Sequence, residues 1–233
     1  MSGAPMPAPD DPTPPRPAGA SFARENGGLE FDRVSFFSDA IYAIAMTLLV
    51  VDLRVPDLAP DAGGVALFAA LTNLESGVFG FFLGFLLLGR YWVAHHRFFR
   101  LLGRVDGRLI SLNLLYLALV AFMPFPVSLL SQFSANVVSV VLFGLCMAAI
   151  SLLELVMLRY AAAAGLTRRP PSAATLRFAT LASGTPPLIM LASLPLAAWS
   201  PGLALLSWLL MIPVGRLIDR RQPADFRDFA EAD

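Results

Sequence analysis

The sequence predicts an all-α integral membrane protein with six transmembrane helices. Of its 233 residues, 57% are hydrophobic and only 15% are charged, and the mean hydropathy is +0.68. A soluble chain carries about 25% charged residues, so lipid must solvate most of this one. Six apolar stretches approach the roughly 20 residues a spanning helix needs. Arginine, finally, gathers in alternate breaks between those stretches, as it does in the cytoplasmic loops of polytopic proteins.

In chain order, residues 1–30 are rich in Pro, Ala, Gly and Asp, and bury too little apolar surface to offset the entropy of ordering. They read as a disordered cytoplasmic tail. The Pro-studded run from Pro5 to Pro17 lacks the apolar core of a signal peptide, so the amino terminus is expected to stay on the side where it was made. Residues 31–220 form the transmembrane domain, with spans at Phe36–Leu53, Val65–Trp92 (with a polar extension to Phe99), Leu109–Leu130, Val137–Tyr160, Leu176–Trp199 and Leu203–Ile218. Pro56, Pro60 and Gly63-Gly64, then Gly103 and Gly107, then Pro170-Pro171 and Pro201-Gly202 punctuate them. Pro186, Pro187 and Pro195 predict kinks in the fifth, and Pro213 in the sixth. Residues 221–233 read as a cytoplasmic C-terminal tail.

All 17 basic residues are arginine. With the amino terminus inside, 15 of them fall on the cytoplasmic side; Arg54 lies outside and Arg90 within a span. A missing helix would invert the alternation from that point on. The expectation is a multi-pass protein of a bacterial inner membrane with both termini cytoplasmic.

Seventeen acidic and 17 basic residues cancel, which gives nucleic acid no footing as a partner. The lone Cys146 lies in an apolar run and supports neither a disulfide framework nor a cysteine metal site. No Gly-x-Ser-x-Gly, His-Glu-x-x-His or phosphate-binding glycine loop is present, so no catalytic residue and no cofactor is expected. Adjacent His95 and His96 point about 100° apart on a helix and cannot readily share a metal.

A charge within a span is costly and marks a candidate site; the cases are Asp39, Arg90 and Glu154. On a helical wheel Ile44, Thr47, Leu48 and Val51 form one stripe, while Asp39 lies roughly 140° from Ile44 and Ser38 roughly 120° away in the other sense. The first helix thus has an aliphatic face with a single hydroxyl, and an opposite face on which Trp92, His95 or His96 can meet the carboxylate and serine. Asp52 and Arg54, with Asp57 and Asp61, read as a solvated loop end, the alternative being an acidic vestibule that concentrates cations.

The pattern Arg33-x-x-x-Phe37-Ser38-Asp39, followed by Ala43-Ile44-x-x-Thr47-Leu48-Leu49, resembles the bacterial branch of the potassium channels related to lysosomal transmembrane protein 175. The likeness continues through Tyr91-Trp92-x-x-His95-His96-Arg97-x-Phe99, the Arg104–Leu115 stretch and Met123-Pro124-Phe125-Pro126, over roughly residues 30 to 160. The resemblance implies a homotetramer in a lipid bilayer whose pore is lined by four first helices. Ile44 would form a hydrophobic constriction that also acts as a gate, with Thr47, Leu48 and Val51 lining further turns. Arg33, Phe37, Ser38, Asp39, Trp92, His95 and His96 would hold the pore helix in place. The permeants would be potassium and other monovalent cations. With no Thr-Val-Gly-Tyr-Gly loop for carbonyl-ring selectivity, only a modest preference for potassium over sodium is expected. The rival reading is a proton-coupled transporter that uses Asp39 and His95 or His96 as a relay.

Overall fold

Helix α1 (Ala18–Leu48) starts directly after Pro17 and tightens into a 3₁₀ turn at Leu49–Asp52. The computed structural model describes residues 18–54, 56–224 and 226, with side chains from residue 30 onward. Most of the two expected tails lies outside these residues. The helix nonetheless begins inside the stretch assigned to the amino-terminal tail: no proline occurs between Pro17 and Pro56, and Ala18, Ala20, Ala23, Arg24 and Glu25 favour helix over coil.

Among the described residues, six helical segments are long and apolar enough to cross a membrane: Glu30–Asp52, Glu75–Leu101, Gly107–Gln132, Val137–Ala163, Ala173–Trp199 and Pro201–Asp219. The second differs from expectation. The apolar run from Val65 is not one span with Trp92, because the chain breaks after a short helix α2 (Gly64–Thr72) and resumes as α3 (Glu75–Leu101). Thr72, Asn73, Glu75 and Ser76 form a polar break that lipid would solvate poorly. The second span therefore runs further along the chain and takes in Arg90, His95 and His96.

The third span is α4 (Gly107–Phe122) followed by α5 (Pro124–Gln132). Pro124 has no N–H to give the Val120 carbonyl, which instead accepts the Met123 N–H at 3.1 Å. Asn136 caps α6 (Val137–Ala163), and Ser172 caps α7 (Ala173–Trp199), which runs on through Pro186, Pro187 and Pro195. The sixth span is composite: α8 (Pro201–Ser207), a 3₁₀ turn at Trp208–Leu210 and α9 (Met211–Asp219). There Pro213 removes the α-type partner of the Leu209 carbonyl.

α3 and α4 flank α1, α5 packs on α3, and α6 packs along α7 and against α4. Two glycines permit the close approach of α3 to its neighbours. A Cβ on Gly80 would sit 2.5 Å from Ser131 Cβ of α5, and one on Gly84 would sit 2.9 Å from the side chains of Leu49 and Val127.

At the other end of α3, the α3–α4 and α6–α7 turns are clasped together. Leu102 and Thr167 form an isolated antiparallel bridge. Gly103 N–H donates to Leu166 O at 2.8 Å, and Arg168 donates to Leu101 O from its backbone N–H and to Leu102 O from Nε. Asp106 caps α4 by accepting the Leu109 N–H at 2.8 Å, and also accepts the Tyr160 hydroxyl at 2.6 Å. The Arg108 guanidinium lies 5.0 Å from the centre of the Tyr160 ring. These arginine-rich turns thus share one end of the bundle. The C-terminal segment returns to the same end, where Phe226 meets Phe178.

Two outcomes follow. Gly80→Val should lower stability by roughly 1–3 kcal/mol through overpacking, read as a lower Tm in detergent. The Asp106 carboxyl is held below the usual carboxylate range, first by the Tyr160 hydroxyl and then by the Leu109 N–H. Its stabilisation is therefore present above an ordinary carboxylate pKa of about 4 and is lost as pH falls through the lower folded-state value. Tm measured against pH should decline in that acidic window, and Asp106→Asn, which keeps a capping oxygen, should flatten that part of the decline.

Candidate pore helix and its anchoring network

Ser38, Tyr42, Ala45 and Leu49, spaced at four, three and four residues, form the buried stripe of α1. Ile44, Thr47, Leu48 and Val51 lie on the other side: Ile44 is 54% exposed, Leu48 46% and Val51 66%, and Thr47 is exposed too. The protomer leaves this apolar stripe bare.

The buried stripe is held by hydrogen bonds whose direction can be worked out link by link. The Ser38 hydroxyl donates to the Val34 carbonyl one turn back, at 2.8 Å. Its oxygen then accepts from Asn113 Nδ2 of α4 at 3.0 Å. With the amide nitrogen so engaged, Asn113 Oδ1 faces His95 Nε2 of α3 at 2.8 Å, and His95 must carry its proton on Nε2. Ser38, Asn113 and His95 are each no more than 2% exposed. The His95 ring is stacked between Phe99, 4.5 Å away, and Tyr116, 5.2 Å away. One turn along α1, the hydroxyls of Tyr42 and Tyr116 are 2.6 Å apart. Further into the bundle, Tyr91 of α3 reaches Ser151 of α6 at 2.7 Å.

Asp39 flanks this stripe and takes a different partner, accepting the Trp92 Nε1–H at 2.8 Å. His96 rests against the Trp92 ring, 5.6 Å between centres, and makes no part of the serine network. Arg33 and Phe37 are exposed on α1. With Glu30, Val34, Ile110, Asn113 and Leu114 they line a groove of about 610 Å³ between α1 and α4. Arg90 is exposed on α3 and Glu154 is partly buried on α6. Among the described residues no cluster of three or more His, Cys, Asp or Glu is arranged to hold a metal ion.

Asn113 is the residue that sequence reading missed. Attention to charged groups passed over a neutral amide, although a lone asparagine in an apolar span is itself a signal for an interhelical hydrogen bond. Tyr42 and Tyr116 were missed for a similar reason, since each reads as an ordinary apolar position until its hydroxyl is paired.

Comparison with known proteins places this geometry. The model of the endosomal/lysosomal potassium channel TMEM175 family matches residues 33–124, the stretch holding α1 from Arg33 onward, α3, α4 and every member of the serine network. Over this stretch the chain is similar to the TMEM175 family. It is 39% identical over 127 residues to a potassium channel of Streptomyces collinus, covering 53% of this chain and 60% of that one. It is 38% identical over 104 residues to a potassium channel of Chamaesiphon minutus, covering 45% and 51%. The matched stretch thus spans about half to three fifths of these relatives. The crystal structure of a lysosomal potassium-selective channel TMEM175 homolog from Chamaesiphon minutus superposes with a TM-score of 0.67 at 27% identity, over 83% of this chain and 99% of that one. The likeness in fold therefore extends into the helices beyond residue 124, where the family profile has stopped.

Replacing Asn113 with leucine should strand the Ser38 oxygen and the His95 N–H together. Each buried unsatisfied group costs about 1–3 kcal/mol. A marked drop in Tm in detergent is expected, and an unchanged Tm would mean that the amide bears no part of the α1 anchorage.

Proposed function

We propose that this chain is a potassium-permeable cation channel, a homotetramer with α1 lining the pore and Ile44 at its narrowest point. The observation that carries the reading is the division of α1 itself. One side is bolted to α3 and α4 by directional hydrogen bonds, while Ile44, Thr47, Leu48 and Val51 face away from the protomer as an uncovered stripe. Symmetric copies brought together on that stripe would enclose a narrow apolar passage. The names of the Streptomyces and Chamaesiphon relatives support potassium as the permeant.

Thr47 adds chemistry to the stripe. Its hydroxyl donates back to the Ile44 carbonyl at 2.9 Å, so the oxygen presents lone pairs outward, as a partly dehydrated cation requires. Rings of isoleucine and leucine with one acceptor ring between them discriminate by the cost of dehydration. Their expected selectivity is a modest preference for potassium over sodium, and their gate a dry hydrophobic constriction. In this reading potassium is cargo, no residue has a catalytic role, and Ser38, Asp39, Trp92, His95 and Asn113 hold the pore helix, while Arg33 and Phe37 lie exposed beside it and His96 only backs the Trp92 ring. The arginine distribution supports an inner-membrane placement with both termini cytoplasmic. Proton-coupled transport has less support, because Asp39 is bonded to Trp92 and His95 to Asn113, in separate sets, and His96 packs against the Trp92 ring without a hydrogen bond among the described residues.

Potassium flux into liposomes under a gradient tests the reading. Ile44→Asn should raise cation flux several-fold and weaken the discrimination of potassium from sodium. Asp39→Asn should act on assembly or open probability and leave no proton stoichiometry behind. If Ile44→Asn changes nothing while the parent moves ions only with protons, or moves none, the pore assignment fails.

A further inference from the structure

A cavity of about 460 Å³ lies between the 3₁₀ end of α1, the start of α3 and α5, at the bundle end away from the clasped arginine turns. Its walls are of three kinds. Asn73, Ser76, Ser128 and Gln132 supply amides and hydroxyls, and Gln132 Nε2 is oriented by donation to Ser128 Oγ at 3.0 Å. Leu49, Phe81 and Val127 form an apolar side. Asp52 and Arg54 bring one negative and one positive charge; both are exposed, and among the described residues neither has an ion-pair partner within 4.0 Å.

Elimination narrows what fits. A simple cation would meet the Arg54 guanidinium, a simple anion would meet the Asp52 carboxylate, and an apolar molecule would strip water from the polar side chains of the lining, Ser131 among them, without replacing it. A molecule carrying both charges satisfies both ends, and the apolar side suits one that continues into hydrocarbon. We propose that the cavity binds a zwitterion with a primary ammonium and a phosphate, in the form of a phosphatidylethanolamine headgroup. The ammonium pairs with Asp52, while the phosphate pairs with Arg54 and the amide N–H groups. Asp52 and Arg54 follow Val51 almost directly in the chain, so an occupied cavity ties the far end of α1 to α3 and α5. That consequence for conduction rests on reading α1 as the pore helix, but the binding itself does not.

The test uses the full chain, purified, stripped of lipid and placed in nanodiscs of phosphatidylglycerol with or without phosphatidylethanolamine of the same acyl chains. A third arm adds millimolar free phosphoethanolamine to the phosphatidylglycerol discs. Tm is read by intrinsic fluorescence for the parent, Asp52→Asn and Arg54→Gln, each against its own phosphatidylglycerol value. A rise of several degrees with phosphatidylethanolamine in the parent, lost in both variants, is the expected result. The same variant-sensitive rise with free phosphoethanolamine supports the zwitterion site and shows that a soluble source also fills it. No rise in the parent, or a rise that persists in both variants, overturns the proposal. Because ion flux is not the readout, the outcome is independent of whether the pore assignment holds.

Discussion

Within a bilayer, apolar packing alone cannot say which way a helix should face, because lipid tails are as apolar as leucine. α1 carries apolar residues almost all round, and what settles its rotation is the chain of hydrogen bonds from Val34 through Ser38 and Asn113 to His95. Each link in a water-free interior is costly to leave unmade. Turning α1 by a single residue, about 100°, would break the Ser38–Asn113 link that joins it to α4, and with it the Tyr42–Tyr116 and Asp39–Trp92 bonds. The bare stripe of Ile44, Thr47, Leu48 and Val51 is therefore a result of the network on the opposite face: the polar side chooses the orientation, and the apolar side inherits it.

Backbone proximity makes the network possible. Gly84 lets Leu49 of the 3₁₀ turn after α1 and Val127 of α5 meet on α3, and Gly80 lets α5 lie against α3 at Ser131. The break at Met123-Pro124 allows α4 to hold Asn113 and Tyr116 against α1 while α5 takes a separate path along α3. Packing of this kind depends on small residues and prolines as much as on large apolar ones. Its effect is to bring three helices to one layer, where Ser38, Asn113 and His95 are in reach of one another.

Much of this was legible in the residues. Run length and arginine placement gave the six spans, because a bilayer imposes a fixed length and an asymmetric charge. The helical wheel separated Ile44, Thr47, Leu48 and Val51 from Ser38, because burial follows a period of 3.6 residues. Three things were not legible. The start of the second span was missed because α2 is as apolar as a true span, and only the polar step from Thr72 to Ser76 separates it from α3. Asn113 was missed because its partners are 75 and 18 residues away in the chain, and no local period reports such a contact. The choice among Trp92, His95 and His96 was left open because it depends on how α3 is rotated against α1, and that is decided by Asn113 on a third helix.

The bridge between Leu102 and Thr167 also has a mechanical side. It joins two turns that carry Arg100, Arg104, Arg108, Arg168 and Arg169, all of them exposed, into one positively charged plate. Near an anionic leaflet each such charge is attracted by about 1 kcal/mol, and a rigid plate responds to that pull as a unit. Asp106 couples the plate to the first turn of α4, and Asn113, two turns further along the same helix, couples α4 to α1. The position of Ile44 is thus tied to that charged end of the bundle through one helix and two side chains.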